Sequence, residues 1–311
     1  MKKVFIIISF VISLVGVFLT PTLERYYRKK NGFMTIPISF VGRFRRPVVL
    51  GKIEGQKYKL LIDLGCANPI ELQPRCFDQI QYKIEIPACT VFDINGISHI
   101  SNGFHLKKVS LGKIKVTDVD CFVDNESFIR SAKYSTSNSK EKEISERLAN
   151  IDGRIGYPIF EHLCCYFQVR RSKIHFARSV KDFTFDSNKF HVVDLHFNKW
   201  WTIDVQTDFG LKRFLLDSGS TRSVLRSDTG VRLVRSNLKV GNLDLGNRKI
   251  LLYPINERYS LDGILGMDFF QRHDLVFDFK NRKLFIEKND HKNNMFFPSC
   301  FVPFDRSVSP N

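Results

Sequence analysis

Eleven prolines and 18 glycines in 311 residues are several times too few for a collagen-like or low-complexity chain, and seven cysteines are too few for a disulfide scaffold. The cysteines form no Cys-x-x-Cys, and their odd number leaves at least one thiol free or paired outside the chain. Gly-x-Ser-x-Gly, His-Glu-x-x-His, a phosphate-cradling glycine loop and a dinucleotide fingerprint are all missing. No cofactor and no metal are therefore expected. The one cluster of ligand-type residues, Cys164 and Cys165 with His162 and His175, is flanked by Leu163, Tyr166 and Phe167. Adjacent residues on a strand face opposite ways, so both cysteines read as small core residues. Acidic residues are also short, 32 against 48 Lys and Arg, which gives a net charge of +16. That excess asks for an anionic neighbour. The basic residues are scattered in ones and twos, as in Arg43-Phe44-Arg45-Arg46 and Arg170-Arg171, with no long basic tract and no nucleic-acid module. No nucleic acid is expected, and an anionic membrane surface stays open as a partner.

What is present is a globular composition, 43% hydrophobic and 26% charged, with 29 Phe. The length suits one large domain or two ordinary ones. Lys2 and Lys3 precede an uncharged run from Val4 to Leu19. Such a run implies a signal peptide or an uncleaved membrane anchor over residues 1–23, and hence an exported or envelope-anchored protein. Val17-Phe18-Leu19-Thr20-Pro21 is a poor cleavage site, which favours the anchor, whereas Arg25, Arg28, Lys29 and Lys30 argue by charge against sending the body across.

From about Thr35 onward, short runs of Ile, Val, Leu and Phe are punctuated by Gly, Asn-Gly, Asp-Gly and Pro, the pattern of a mostly β chain. Strands are predicted over Val48–Ile53, Tyr58–Asp63, Leu106–Leu111, Phe167–Phe176, Trp201–Thr207, Lys212–Asp217, Leu275–Phe279 and Lys283–Glu287. One polar stretch, Ser139 to Ala149, reads as a helical surface insertion.

The chain also repeats itself. Leu60-Leu61-Ile62-Asp63-Leu64-Gly65-Cys66-Ala67 is echoed by Phe214-Leu215-Leu216-Asp217-Ser218-Gly219-Ser220-Thr221. Downstream, Ile151-Asp152-Gly153-Arg154-Ile155-Gly156 is echoed by Leu261-Asp262-Gly263-Ile264-Leu265-Gly266, and a strand pair follows each. Two elements in the same order in both halves point to a duplicated unit. An apolar strand that runs into Asp-x-Gly sets a carboxylate at a strand tip, and the glycine allows a tight turn whose N–H groups reach the carboxylate oxygens. Two halves related by an approximate two-fold axis would bring Asp63 and Asp217 together, where they could not both ionise easily and would share one proton. Such a pair can activate a water for attack on a peptide carbonyl.

Over roughly residues 45 to 288 the chain resembles a pepsin-like or retropepsin-like aspartic protease with both repeats in one polypeptide. The resemblance implies an all-β, bilobal fold: a first lobe over 36–186, a second over 187–290, a tail over 291–311 and a monomer with an internal pseudo-dimer. It implies an aspartic endopeptidase acting on a peptide or protein, with Asp63 and Asp217 catalytic and Gly65, Ser218, Gly219, Thr221, Gly156 and Gly266 supporting them. The first half carries extra length: 93 positions from Asp63 to Gly156 against 49 from Asp217 to Gly266. Part is the polar insertion, about 125–150. Part surrounds Asn95-Gly96, a strong hairpin signal, and is expected to form a flap over about 91–103, with Phe92, Ile94, Asn95, Gly96 and Ile97 at its tip. One departure matters. Leu64 stands where the first motif usually has Thr or Ser, whose hydroxyl ties the catalytic loops together, and the alternative reading is an inactive protease-fold protein that binds peptides.

Overall fold

The computed structural model describes residues 32–41, 45–124 and 150–288. The leader, the polar insertion and the C-terminal tail expected from the sequence lie outside the described residues. Among those described, no helix is long and apolar enough to cross a membrane.

The first half contributes β1 (Phe33–Pro37), β2 (Ser39–Val41), β3 (Arg46–Ile53), β4 (Gln56–Asp63), β5 (Ile70–Leu72), β6 (Lys83–Phe92), β7 (Ser98–Leu111), β8 (Ile114–Val123), β9 (Gly153–Gly156), β10 (Cys164–Gln168) and β11 (Lys173–Ala177). The second contributes β12 (Phe190–Asp194), β13 (His196–Asn198), β14 (Trp200–Thr207), β15 (Gly210–Leu216), β16 (Val224–Arg226), β17 (Arg232–Val240), β18 (Leu243–Tyr253), β19 (Gly263–Leu265), β20 (Leu275–Asp278) and β21 (Lys283–Glu287). Among the described residues, helix is confined to short pieces such as α1 (Pro74–Phe77) and α2 (Met267–Phe270). The fold is mostly β and bilobal, of the pepsin-like type. The run Phe167–Phe176 is two strands rather than one, because Val169–Arg171 makes a tight turn that ends on Ser172 in the left-handed region.

The first lobe is an eight-stranded sheet in the order β2-β3-β4-β9-β5-β8-β7-β6, closed on itself by β3 against β7. The second is a seven-stranded sheet in the order β13-β14-β15-β19-β16-β18-β17, closed by β14 against β17. These orders match strand for strand, except that β6 has no counterpart in the second lobe. A third sheet, β1-β11-β10-β20-β21-β12, takes three strands from each half and joins them antiparallel at Cys164↔Asp278 through Phe167↔Leu275. An approximate two-fold axis therefore passes between β10 and β20.

The strands that deliver the two Asp-x-Gly motifs carry unbroken apolar runs, and their surroundings explain why. Leu60, Leu61 and Ile62 of β4, like Phe214, Leu215 and Leu216 of β15, lie mid-sheet and are covered on both faces. Each pairs in parallel with the strand of the second repeated motif, Asp63 reaching Gly156 and Leu216 reaching Leu265. Cys164 and Cys165 are buried as small core residues. The six described cysteines form no disulfide with one another, and no group of metal-ligating side chains occurs among the described residues.

Candidate active site

The two repeated motifs meet at the pseudo-two-fold axis. Asp63 is buried and Asp217 half-buried, and both line one cavity of about 550 Å³ between the lobes. Each carboxylate is held by its own turn: Asp63 Oδ1 accepts from Gly65 N at 3.0 Å, and Asp217 Oδ1 accepts from Gly219 N at 2.7 Å and Ser220 N at 3.0 Å. Each glycine also faces the opposite carboxyl. A Cβ on Gly65 would lie 2.5 Å from Asp217 Cγ, and one on Gly219 would lie 2.5 Å from Asp63 Cγ. Only a residue without a side chain lets the acids approach from both sides. Gly156 and Gly266 stand behind these turns, where a Cβ would strike the carbonyls of Asn68 and Arg222 respectively.

Burial first, then the neighbouring Asp63 and the hydrogen bond it shares, push the Asp217 carboxyl up to about 8, against the pull of the Ser220 and Gly219 amides. At neutral pH Asp217 thus carries a proton.

Ser218 is fully buried and crosses between the lobes: its Oγ accepts from Leu64 N at 3.1 Å and donates to Ile62 O at 2.7 Å. The mirror-image tie would need a hydroxyl at position 64. Leu64 instead inserts its side chain into the main core, 1% exposed. One of two symmetric ties therefore remains, and it is sufficient to join the loops. Thr221 sits half-buried just beyond and does not line the cavity.

The Asn95-Gly96 segment is the tip of the β6–β7 hairpin, with Phe92 paired to Ser98. Asp93 organises the turn: its Oδ1 accepts from Asn95 N at 3.0 Å and Ile97 N at 2.8 Å, and its carbonyl accepts from Gly96 N at 2.8 Å. Phe92 and Ile94 line the cavity, while Asn95 and Ile97 are exposed.

The tip does not hang free. It is latched to the segment after β18: Tyr259 Oη donates to the carbonyls of Phe92 (2.9 Å) and Asp93 (2.6 Å). Asn256 N donates to Ile94 O at 3.1 Å, and Tyr253 Oη to Asn95 Oδ1 at 2.7 Å. The Arg258 guanidinium lies 3.3 Å from the centre of the Phe92 ring. Removing the hydroxyl that serves two carbonyls, by Tyr259→Phe, is expected to speed amide exchange at Gly96 and Ile97 by about 5- to 30-fold, the equivalent of about 1–2 kcal/mol of lost latch. Hydrogen-exchange mass spectrometry resolved on the 93–97 segment checks this.

Arg154 and Glu71 line the cavity and are not among the site residues expected from sequence. Arg154, on β9, places Nη1 3.4 Å from Asp63 Oδ2 and pairs with the buried Glu71 of β5. Its Nη2 lies 3.8 Å from Asp124 Oδ2. Glu71 also accepts from Asn68 Nδ2 at 2.7 Å and from the Cys66 thiol. The signal was visible in the repeat itself, where Gly153-Arg154-Ile155-Gly156 opposes Gly263-Ile264-Leu265-Gly266 and a charge stands against an aliphatic residue. Around Asp217 the wall is apolar instead: Leu215, Ile255, Leu261 and Ile264, with Trp200 packed against them and its ring tilted 5.3 Å from that of Tyr259.

No model of a known protein family matches the sequence, and no curated protein matches it. Among solved structures, the chain is similar to the aspartic proteinase from Irpex lacteus, with 13% identity and a TM-score of 0.54 over 84% of this chain and 99% of that one. At that identity the likeness is one of fold: two lobes in a single chain, built as in an aspartic proteinase.

Proposed function

We propose that the protein is an aspartic-type endopeptidase in which Asp63 and Asp217 activate a water to hydrolyse a peptide bond. The observation that carries this reading is the meeting of two Asp-x-Gly turns at the pseudo-two-fold axis, each acid closely faced by the other's glycine and one of them protonated at neutral pH. Asp63 takes a proton from the water as the water oxygen attacks the carbonyl carbon, while Asp217 gives its proton to the carbonyl oxygen. The tetrahedral diol collapses when a hydroxyl proton returns to Asp217 and the proton held by Asp63 passes to the leaving nitrogen. The C–N bond breaks, leaving an acid and an amine with the dyad restored. A peptide in extended form fits a cleft of this size under a hairpin lid, with apolar side chains against the Trp200–Ile264 wall.

The pH dependence follows from Asp217. Its proton is present below about 8 and lost above it, so cleavage of a peptide library by the pure protein should fall as the pH passes about 8 and be blocked by pepstatin. A chain that cleaves nothing from acid to alkaline pH, yet still binds peptides, would establish the inactive reading that Leu64 suggests.

A further inference from the structure

We infer that Arg154, held by Glu71 and Asp124, is the positioning residue that breaks the symmetry of the dyad, fixing the negative charge on Asp63 and leaving the proton to Asp217. This inference rests on the proposed reaction.

The chain contains its own control. Arg154 is the parallel partner of Leu61 on β4 and the antiparallel partner of Glu71 on β5. In the second lobe Ile264 is the parallel partner of Leu215 and the antiparallel partner of Val224. The two pairs are therefore equivalent under the pseudo-two-fold axis, and both Arg154 and Ile264 line the cavity. One lobe builds this position from Val224 and Ile264, both buried and apolar. The other builds it from Glu71, 3% exposed, and an arginine.

The fold does not need the charges, since the second lobe forms the same strand triplet without them. Taking an ion pair out of water costs more than packing an aliphatic pair in the same place, so a buried Glu–Arg pair is poor evidence of a stabilising role. It does, however, make the two acids chemically unequal. Asp63 receives a guanidinium at 3.4 Å, whereas the equivalent position on the Asp217 side of the cavity is the aliphatic Ile264.

The other charges near the dyad leave this asymmetry in place. Arg46 of β3 acts on both acids and Cys66 lies beside Asp63 as a thiol kept neutral by burial. Asp93 and His99 of the flap, with Lys199 and Arg258 of the second lobe, stand around the cavity wall. Glu71 and Asp124 hold Arg154, and the β5–β9 pairing fixes the guanidinium on the Asp63 side.

The test is to install the second lobe's pair in the first, Glu71→Val with Arg154→Ile, alongside Arg154→Gln and Arg154→Lys. Two readouts serve: the pH profile of kcat/KM, and the carbon-13 titration of the aspartate carboxyls in the full chain, which needs no turnover. Without the cation, the dyad's first deprotonation should move up by about one pH unit or more, carrying the acid limb of the profile with it and lowering kcat/KM on that limb about tenfold. Arg154→Lys should keep the limb near its wild-type place. Limbs that stay fixed in both neutral variants, a rise in KM alone, or a lysine variant that behaves like the neutral ones would each overturn the inference. A wild-type chain without turnover sinks the proposed reaction instead, and the carboxyl titration then still decides whether Arg154 sets the charge of the dyad.

Discussion

Asp217→Asn is expected to lower peptide hydrolysis by about 10²- to 10⁴-fold and, at neutral pH, to make the protein harder to unfold. The first effect is loss of the acid that, in the proposed reaction, protonates the carbonyl oxygen. The second follows from the same proton. In the unfolded chain the carboxyl ionises near 3.8, and in the folded one near 8. Between those values the folded state holds a proton that the unfolded state has released, so the free energy of unfolding falls as pH rises from about 4 to about 8. Asparagine has the same shape, keeps an oxygen for the amides of Gly219 and Ser220, and never pays this penalty. The difference in Tm between variant and wild type should be small below pH about 4, grow through the window and level off above pH about 8. Thermal unfolding across that range measures it, and a difference that does not change with pH would mean that Asp217 is not held protonated. A loss of activity paired with a gain in stability is also the pattern of a site that stores an unfavourable group for use.

The parts of this arrangement that were legible in the sequence are those coded by neighbours along the chain. Leu60 to Asp63 and Phe214 to Asp217 show a fully covered strand with a carboxylate at its end, and the duplication showed that the two ends belong together. Asn95-Gly96 marked the β6–β7 hairpin whose tip reaches the cavity. What stayed hidden depends on residues far apart in sequence. The repeat marks Arg154 as a charge standing against an aliphatic residue, but not its partners; only the pairing of β9 with β5 puts it next to Glu71 and within reach of Asp63. Tyr253, Asn256 and Tyr259 carry no mark of a latch, because their partners lie more than 150 positions away on the β6–β7 hairpin. Leu64 could be read as a loss, a missing hydroxyl, but not as a gain, the packing of its side chain in the core beside a tie made by Ser218 alone.

That single tie makes Ser218→Ala the most damaging conservative change near the dyad. Leu64 N and Ile62 O are both enclosed, and the Ser218 hydroxyl serves one as acceptor and the other as donor. Alanine leaves both without that partner, at a position closed to solvent, where Ser218 is 0% exposed. At about 1–3 kcal/mol for each stranded group, partly offset by relaxation, the expected loss is about 2–4 kcal/mol, measurable as a lower denaturation midpoint. Activity should fall further than stability accounts for. The tie sets the separation of the loops that carry Asp63 and Asp217, and a shift of about 1 Å there can cost about 10²-fold in rate. The symmetry of the site supplies a rescue. Moving the hydroxyl to the other lobe, by Leu64→Thr combined with Ser218→Ala, places an equivalent donor and acceptor opposite Leu216 O and the position-218 amide, and should recover part of the lost rate despite the smaller core residue. If the double variant is no better than Ser218→Ala in both midpoint and rate, the crossing hydroxyl acts only from Ser218, and the pseudo-two-fold axis does not extend to the bonds that hold the dyad.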